Sequence, residues 1–324
     1  MTFPCPTIWL ESLPLAGGGA LPGRVLPGPM EGITAGAFCA VMNELGLVSA
    51  WVTPFIRVSE GIPRQARLRD RLAAFSPLPT VVQVMGTDIP MLAQTAARLA
   101  TEPGVVGIDL NCACPSRIVV SGGAGGGRLR HPRWIRDALL ALRRACPTKG
   151  ISVKIRVGVE SAEELPWICG AVREAQPDFV VLHYRTVEEM YRAAPDGLRR
   201  LARARELLPG VSLFGSGDLY TVAAAARMWA VAGVDGVTPA RGLVATPWLL
   251  RDIEAACRGE DVRVHTDEEK RDFLRRLISR AERDGAWRKG FVLEVARHQF
   301  GREHPLFCRL ASADSAAAML AGLA

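Results

Sequence analysis

Val105-Val-Gly-Ile-Asp-Leu110, running straight into Asn111-Cys-Ala-Cys-Pro-Ser116 and then Gly122-Gly-Ala-Gly-Gly-Gly127, is the stretch whose reading decides the fold. Its first part is a short apolar run of strand length. Pro115 ends that run, and the glycines leave the following backbone free to turn and to approach other groups closely. A strand that stops in this way delivers a thiol to the end of a sheet. The competing reading is a buried structural cysteine pair, since free cysteine behaves as a small core residue. Pro115 and the glycine cluster weigh against it.

Comparable runs recur on both sides, at 25–26, 50–53, 80–85, 106–110, 151–155, 179–182, 211–214 and 236–237. Helical patterns at 89–99, 134–145, 162–174 and 221–232 separate several of them, with Asp88, Ser161 and Tyr220-Thr221 at or near their starts. Strict alternation predicts a parallel sheet, and eight repeats predict an α/β fold of the closed (β/α)₈ TIM barrel type over 25–255. After Trp248-Leu-Leu-Arg251 the pattern becomes continuously helical, with Asp267 as the cap of a segment reaching Arg283, a second segment at 291–299 and an Ala-rich tail. A small all-helical C-terminal domain is therefore predicted at 256–324, and residues 1–24, which lack periodicity, read as a loose N-terminal extension.

The 324 residues are 49% hydrophobic, ample for a core, and no run of apolar residues is long enough to span a membrane. The first Lys or Arg is Arg24, so the basic start of a secretory signal is missing. Eight scattered cysteines fit reduced thiols in a cytoplasmic protein. Cys112 and Cys114 lack a second pair or a nearby His, so no structural metal is expected. Of the net charge of +7, a local +6 falls between Lys270 and Arg309, where eleven basic residues face five acidic ones. A solvated helix face explains any such run; so does a nucleic-acid footprint appended to a near-neutral body.

In barrels of this kind the chemistry gathers at the C-terminal ends of the strands. Those positions here include Pro29-Met-Glu-Gly32, Arg57, Gln83, Asn111–Ser116, Lys154-Ile-Arg156, His183-Tyr-Arg-Thr186, Gly215-Ser-Gly-Asp218 and Pro239-Ala-Arg-Gly242. A single Lys or His at a strand end is usually a rim residue, but eight converging ends of this composition describe one pocket. The last two are glycine turns before helical patterns, which suit an anion, with Arg241 as a charged clamp.

These motifs, in this order, resemble the tRNA-dihydrouridine synthase family, its bacterial C-type branch best, over about Val25 to Gly259. The resemblance implies an FMN-dependent reduction of uridine to 5,6-dihydrouridine in the D loop of tRNA, at position 16, with NADPH or NADH as reductant. It further implies that Pro29, Met30, Glu31, Gln83, Lys154 and His183 border the flavin, and that Ser216, Gly217, Asp218, Ala240 and Arg241 hold its phosphate. Cys114 corresponds to the catalytic acid, while Arg57, Asn111 and Tyr191 match positions facing the RNA and target uridine. Arg275 and Arg276 of the basic helical segment would meet tRNA phosphates, and a monomer is expected.

Elementary chemistry agrees. Reducing the C5=C6 bond of uracil needs a hydride that no side chain supplies, so a redox cofactor must carry it. A protonated thiol then suits delivery to C5. Several family letters are changed: Gly28 stands for Ala, Tyr184 for Gly, Ser216 for Asn, and Pro239-Ala240 for Ile-Gly, which removes a backbone donor at the phosphate turn. Two other readings fit parts of the pattern. A free-pyrimidine flavin oxidoreductase of the dihydroorotate or dihydropyrimidine dehydrogenase kind shares the Asn-x-x-Cys-Pro box but does not call for the basic C-terminal segment. A flavin-free tRNA-binding relic rests only on the altered turns.

Overall fold

The alternating runs pair side by side. The computed structural model describes residues 4–59 and 61–323. In it, strands Trp51–Val52, Thr80–Gly86, Val105–Cys112, Gly150–Arg156, Phe179–His183, Ser212–Ser216 and Gly236–Val237 form one sheet in that order, every pairing parallel, and Ile56–Val58 also pairs with Thr80–Gly86. Val25 then forms a parallel bridge to Val237, with the Leu26 N–H donating to the Val237 carbonyl at 3.0 Å. First segment thus meets last strand, and the curled sheet with its outer helices is a TIM-type α/β barrel. Every residue of Thr80–Gly86 and Phe179–His183 is buried, which is why these strands read as unbroken apolar runs rather than alternating ones.

The barrel interior is stacked in layers. Leu26, Val52, Val81, Phe179, Val181 and Phe214 form one apolar cluster, with the Phe179 and Phe214 rings 5.2 Å apart. Two residues further along the strands, on the same face, the lining turns polar: Val81 gives way to Gln83, Val181 to His183 and Phe214 to Ser216. That change from apolar floor to polar roof positions the site.

The N-terminal stretch corrects the expectation of a loose extension. Leu13–Pro14 and Ala20–Leu21 form a small antiparallel hairpin, and Leu13, Leu15 and Leu21 join the interior cluster. The Ala16 N–H donates to Asp178, just ahead of the Phe179 strand, at 2.6 Å. Trp9 is fully buried, its Nε1 donating to the Val234 carbonyl at 3.3 Å. The hairpin closes the end of the barrel opposite the strand C-termini, burying side chains that its Pro- and Gly-rich spacing disguises.

Helix ends follow local chemistry. The Asp88 carboxylate accepts from the Met91 N–H at 2.7 Å, and Thr221 caps Val222–Ala232. At Asp267–Arg283 the cap is Thr266 rather than Asp267, because Thr266 and Glu269 exchange side-chain and backbone bonds in a capping box. Three more helices follow, Lys289–Phe300, Pro305–Ser312 and Ala316–Gly322. These helices share the barrel's apolar core: Phe273 packs edge-on against Phe38 at 5.8 Å and near Trp248 at 6.3 Å. Among the described residues no helix is long and apolar enough to cross a membrane, and no group of three metal-ligating side chains occurs.

Because Phe273 is buried between the two parts, Phe273→Ala should destabilise the whole chain by about 3–5 kcal/mol. Thermal unfolding followed by circular dichroism checks this; a change confined to release of the C-terminal helices, with an unaltered barrel transition, would show that the two parts unfold independently.

Candidate active site

A cavity of about 610 Å³ opens at the C-terminal ends of the strands. Its lining brings together Pro29, Met30 and Glu31, Gln83, Asn111 and Cys114, Lys154, His183, Tyr191, Ser216, Gly217 and Asp218, and Ala240 and Arg241. Arg57, Arg275 and Arg276 are not among them. Arg57 lies at the rim close to Gly122, whereas Arg275 and Arg276 are tied by ion pairs to Glu268 and Asp272 on their own helix, at 2.8 Å each.

The thiol loop follows from the strand that precedes it. Cys112 ends Val105–Cys112 fully buried, and burial pushes its thiol far up. Cys114, two residues on, is only half-buried. Between them the Asn111 Oδ1 accepts the N–H groups of both Ala113 and Cys114 at 3.0 Å, a side-chain turn that replaces the lost ladder bonds. The glycine cluster closes over it: the Gly126 N–H donates to the Cys114 carbonyl at 3.0 Å. Gly125 sits at φ +53°, where a Cβ would come within 2.7 Å of Val119 Cγ1 and 3.0 Å of Cys114 Cβ.

Beneath the loop lies a directed chain of hydrogen bonds. Gln83, Asp109 and Ser152 share one register level across three strands. The Asp109 carboxylate is buried and takes Ser152 Oγ at 2.6 Å and Gln83 Nε2 at 2.7 Å. An ionised carboxylate only accepts, so Gln83 must offer its Nε2 downward and its Oε1 to the next partner. That partner is Asn111 Nδ2, at 2.6 Å, which leaves the Asn111 Oδ1 for the Cys114 turn. Burial pushes the Asp109 carboxyl up to about 6, so it is largely ionised at neutral pH.

Around this chain stand three basic groups in different states. Burial, then the nearby Arg156, brings Lys154 down to about 8. His183 is held far below its usual range by burial first and then by Arg156 and Lys154, and its Nδ1 accepts the Arg185 N–H at 3.2 Å. The ring is therefore neutral and carries its proton on Nε2. Arg156, pushed down to about 10 chiefly by burial, stays cationic and joins two loops: its Nε donates to the Ala113 carbonyl at 2.8 Å and its Nη1 to the Thr186 carbonyl at 2.8 Å. Its place in the Lys154-Ile-Arg156 motif assigns Arg156 no role by itself. Its phase, two residues after Lys154 on the same strand face, was the available signal.

At the glycine turns the altered letters compensate one another. A Cβ on Gly28 would lie 2.8 Å from the Ala240 Cβ, so the methyl lost at one position makes room for the methyl gained at the other. Likewise the Tyr184 ring fits because Gly197 and Gly217 have no side chain; a Cβ there would come within 2.6 and 2.5 Å of it. Gly217 has φ +126° and Asp218 φ +43°. The Asp218 carboxylate pairs with buried Arg185 and, at 2.7 Å, with Arg241, so its side chain orients the arginines and does not itself face an anion. The residues fit a flavin mononucleotide: polar floor, glycine-tight turns, Arg241 beside them, and a volume within the roughly 300–1,000 Å³ common for ligand sites.

The helix Lys289–Phe300 also reaches the cavity, with Glu294, Arg297 and His298 in its lining. Burial, then Arg297, lowers His298 below its ordinary value. None of the three was foreseen as lining, since nothing in a helical pattern tells which face meets the barrel mouth.

A parallel barrel that gathers a half-buried thiol, a neutral imidazole and a lysine over a glycine-walled turn has the layout of an enzyme with a phosphorylated cofactor. The family model described as dihydrouridine synthase matches residues 26–304, and the chain belongs to that family. It is 33% identical over 239 residues to the tRNA-dihydrouridine(16) synthase of Escherichia coli (strain K12), covering 71% of this chain and 75% of that one. To the tRNA-dihydrouridine(16) synthase of Ralstonia nicotianae it is 31% identical over 274 residues, covering 79% and 81%. Among solved structures, the old yellow enzyme from Trypanosoma cruzi aligns with TM-score 0.56 at 11% identity, covering 80% of this chain and 94% of that one. Histamine dehydrogenase from Rhizobium sp. 4-9 aligns with TM-score 0.59 at 16% identity, covering 84% and 51%. These two likenesses concern the barrel fold alone.

If Asp109 directs the chain that ends at Cys114, Asp109→Ala should change the iodoacetamide alkylation rate of Cys114 severalfold, read by mass spectrometry of its peptide. Asp109→Asn should restore it only in part, because an amide can accept from Gln83 but, able also to donate, no longer imposes one orientation on it. An alanine variant alkylated at the native rate would break the proposed link.

Proposed function

We propose that this protein reduces a uridine of tRNA to 5,6-dihydrouridine with FMN at the barrel mouth and Cys114 as the proton donor. The observation that carries the reading is the common cavity: Cys114 shares it with Gln83, Asn111, Lys154 and His183 and with both glycine turns. Relatives named as tRNA-dihydrouridine(16) synthases support uridine 16 as the target; NADPH or NADH as the electron source and the cytoplasm as the place of action belong to the same reading.

FMN, when bound and reduced, supplies the hydride that adds to C6 of uracil. Pro29, Met30, Glu31, Gln83, Lys154 and His183 would border its ring, while the backbone at Ser216–Asp218 and Ala240–Arg241, with the Arg241 guanidinium, would take its phosphate. The chain's own groups do the rest. Cys114 holds a proton on Sγ for C5, where electron density accumulates as the hydride arrives, and water reprotonates the sulfur afterwards. Lys154 adds positive charge beside that developing negative charge. His183, neutral, offers Nε2–H without competing as a cation. Arg156 grips the Ala113 carbonyl and so keeps the thiol loop from swinging away. The target uridine must leave its stack to enter, an unstacking that costs a few kcal/mol. Tyr191, Arg297 and His298 line the route it would take.

Cys114→Ala should retain flavin absorbance yet lower dihydrouridine formation in tRNA by about 100-fold or more, the usual scale of lost general-acid catalysis. Unchanged product would mean that another group supplies the proton. With Lys154 titrating at about 8, turnover should decline as pH rises through that value, and Lys154→Met should lose this limb along with most of its rate. A profile flat from neutrality to pH 9.5 in the native protein would rule out a cationic role for Lys154.

A further inference from the structure

A second large cavity lies away from the barrel mouth. An open groove of about 1240 Å³ runs along the outer wall between helices Pro132–Ala145 and Leu165–Glu174, lined by Arg128, Arg130, Arg133 and Arg136 and by Trp134 and Trp167. Trp167 is 76% exposed, an unusual place for an indole with no partner to cover it. The Arg128 guanidinium lies 4.5 Å over the Trp134 ring, and its Nε is buried without a hydrogen-bond partner among the described residues.

The charge around this groove is more concentrated than in the C-terminal helices. Between Arg117 and Lys149 the sequence carries eight basic residues and one acidic residue, Asp137. Arg130 meets Glu160 at 3.2 Å and Arg136 meets Glu174 at 3.0 Å, but Arg128 and Arg133 form no ion pair among the described residues. In the C-terminal helices Arg275, Arg276 and Arg280 are each neutralised by a neighbouring carboxylate, while Arg283, Arg288 and Arg302 form no ion pair among the described residues and line neither cavity together with an exposed indole. The groove also adjoins the site directly. Arg128 and Arg130 belong to the turn Gly125–Arg130, whose Gly126 is hydrogen-bonded to the Cys114 carbonyl.

We infer that this groove is a second docking surface for the tRNA, holding a single-stranded stretch with phosphates on Arg128 and Arg133 and an unstacked base on Trp167. The inference rests on the tRNA reading above and names where, outside the mouth, the RNA is gripped. Free guanidiniums next to an exposed indole are the two components that bind single strands without sequence preference: cations follow the backbone, and any base offers a flat face for stacking. An acidic protein would use the charges but has no comparable need of the indole.

The test is fluorescence anisotropy with an unmodified tRNA transcript, on flavin-loaded protein, over a series of salt concentrations. The double variant R128Q/R133Q should bind about tenfold more weakly, and the slope of log affinity against log salt should shrink by about 1.4 for two lost phosphate contacts at roughly 0.7 each. Trp167→Ala, at a largely exposed position that folding tolerates, should weaken binding at least fivefold with the slope unchanged. Flavin content and Cys114 alkylation should match the native protein in both variants. Native affinity and slope in the variants would overturn the groove while leaving the reductase reading intact; native protein that neither binds nor modifies tRNA would instead overturn the reading itself. Equal losses toward poly-glutamate would make the groove an acidic-protein surface and also refute the proposal.

Discussion

The site depends on one acceptor that cannot donate. With the Asp109 carboxylate buried and ionised, the amide of Gln83 has a single allowed orientation, Asn111 must follow it, and the turn bearing Cys114 inherits its geometry from both. Burying a charge in a barrel interior is costly unless its lone pairs are met. Here Ser152 and Gln83 meet them, and Lys154 lies close enough to favour the anion. The cost remaining is visible as the raised carboxyl of Asp109. Strand register makes the arrangement possible, since parallel pairing puts Gln83, Asp109 and Ser152 at one level.

A second constraint is space at the glycine turns. Departures from the family pattern at Gly28, Tyr184 and Ala240 suggested a damaged phosphate site when read one letter at a time. The first and last of these compensate, the Ala240 methyl occupying the room Gly28 vacates, and Tyr184 is accommodated because Gly197 and Gly217 beside it have no side chain. Close-packed interiors tolerate such exchanges when total volume is kept.

Much of this was legible in the chain. Unbroken apolar runs located the strands, because a parallel sheet covered on both faces needs them, and period-3.6 patterns located the helices. The cavity residues were legible because a barrel sends all strand ends to one mouth. What escaped reading did so for physical reasons. The hairpin at Leu13–Leu21 buries its side chains between turns too short for any period to show. Glu294, Arg297 and His298 depend on the rotation of a helix whose apolar face is broad. Arg275 and Arg276 looked like an RNA surface from composition, yet their own helix supplies the carboxylates that neutralise them. The arginines near Trp134 were spread over two elements, and only folding brings them to one groove.

In the proposed reaction one cavity would hold the flavin and present the Cys114 sulfur to it across a gap that a flipped uracil fills. The most direct test of this arrangement is a crystal structure of the protein grown with FMN. The prediction is ring density above Gln83 and beside Lys154, phosphate density at the Gly217 and Ala240 turns, and the Cys114 Sγ directed into the space between. Density for FMN elsewhere, or a sulfur turned away from the ring, would contradict it.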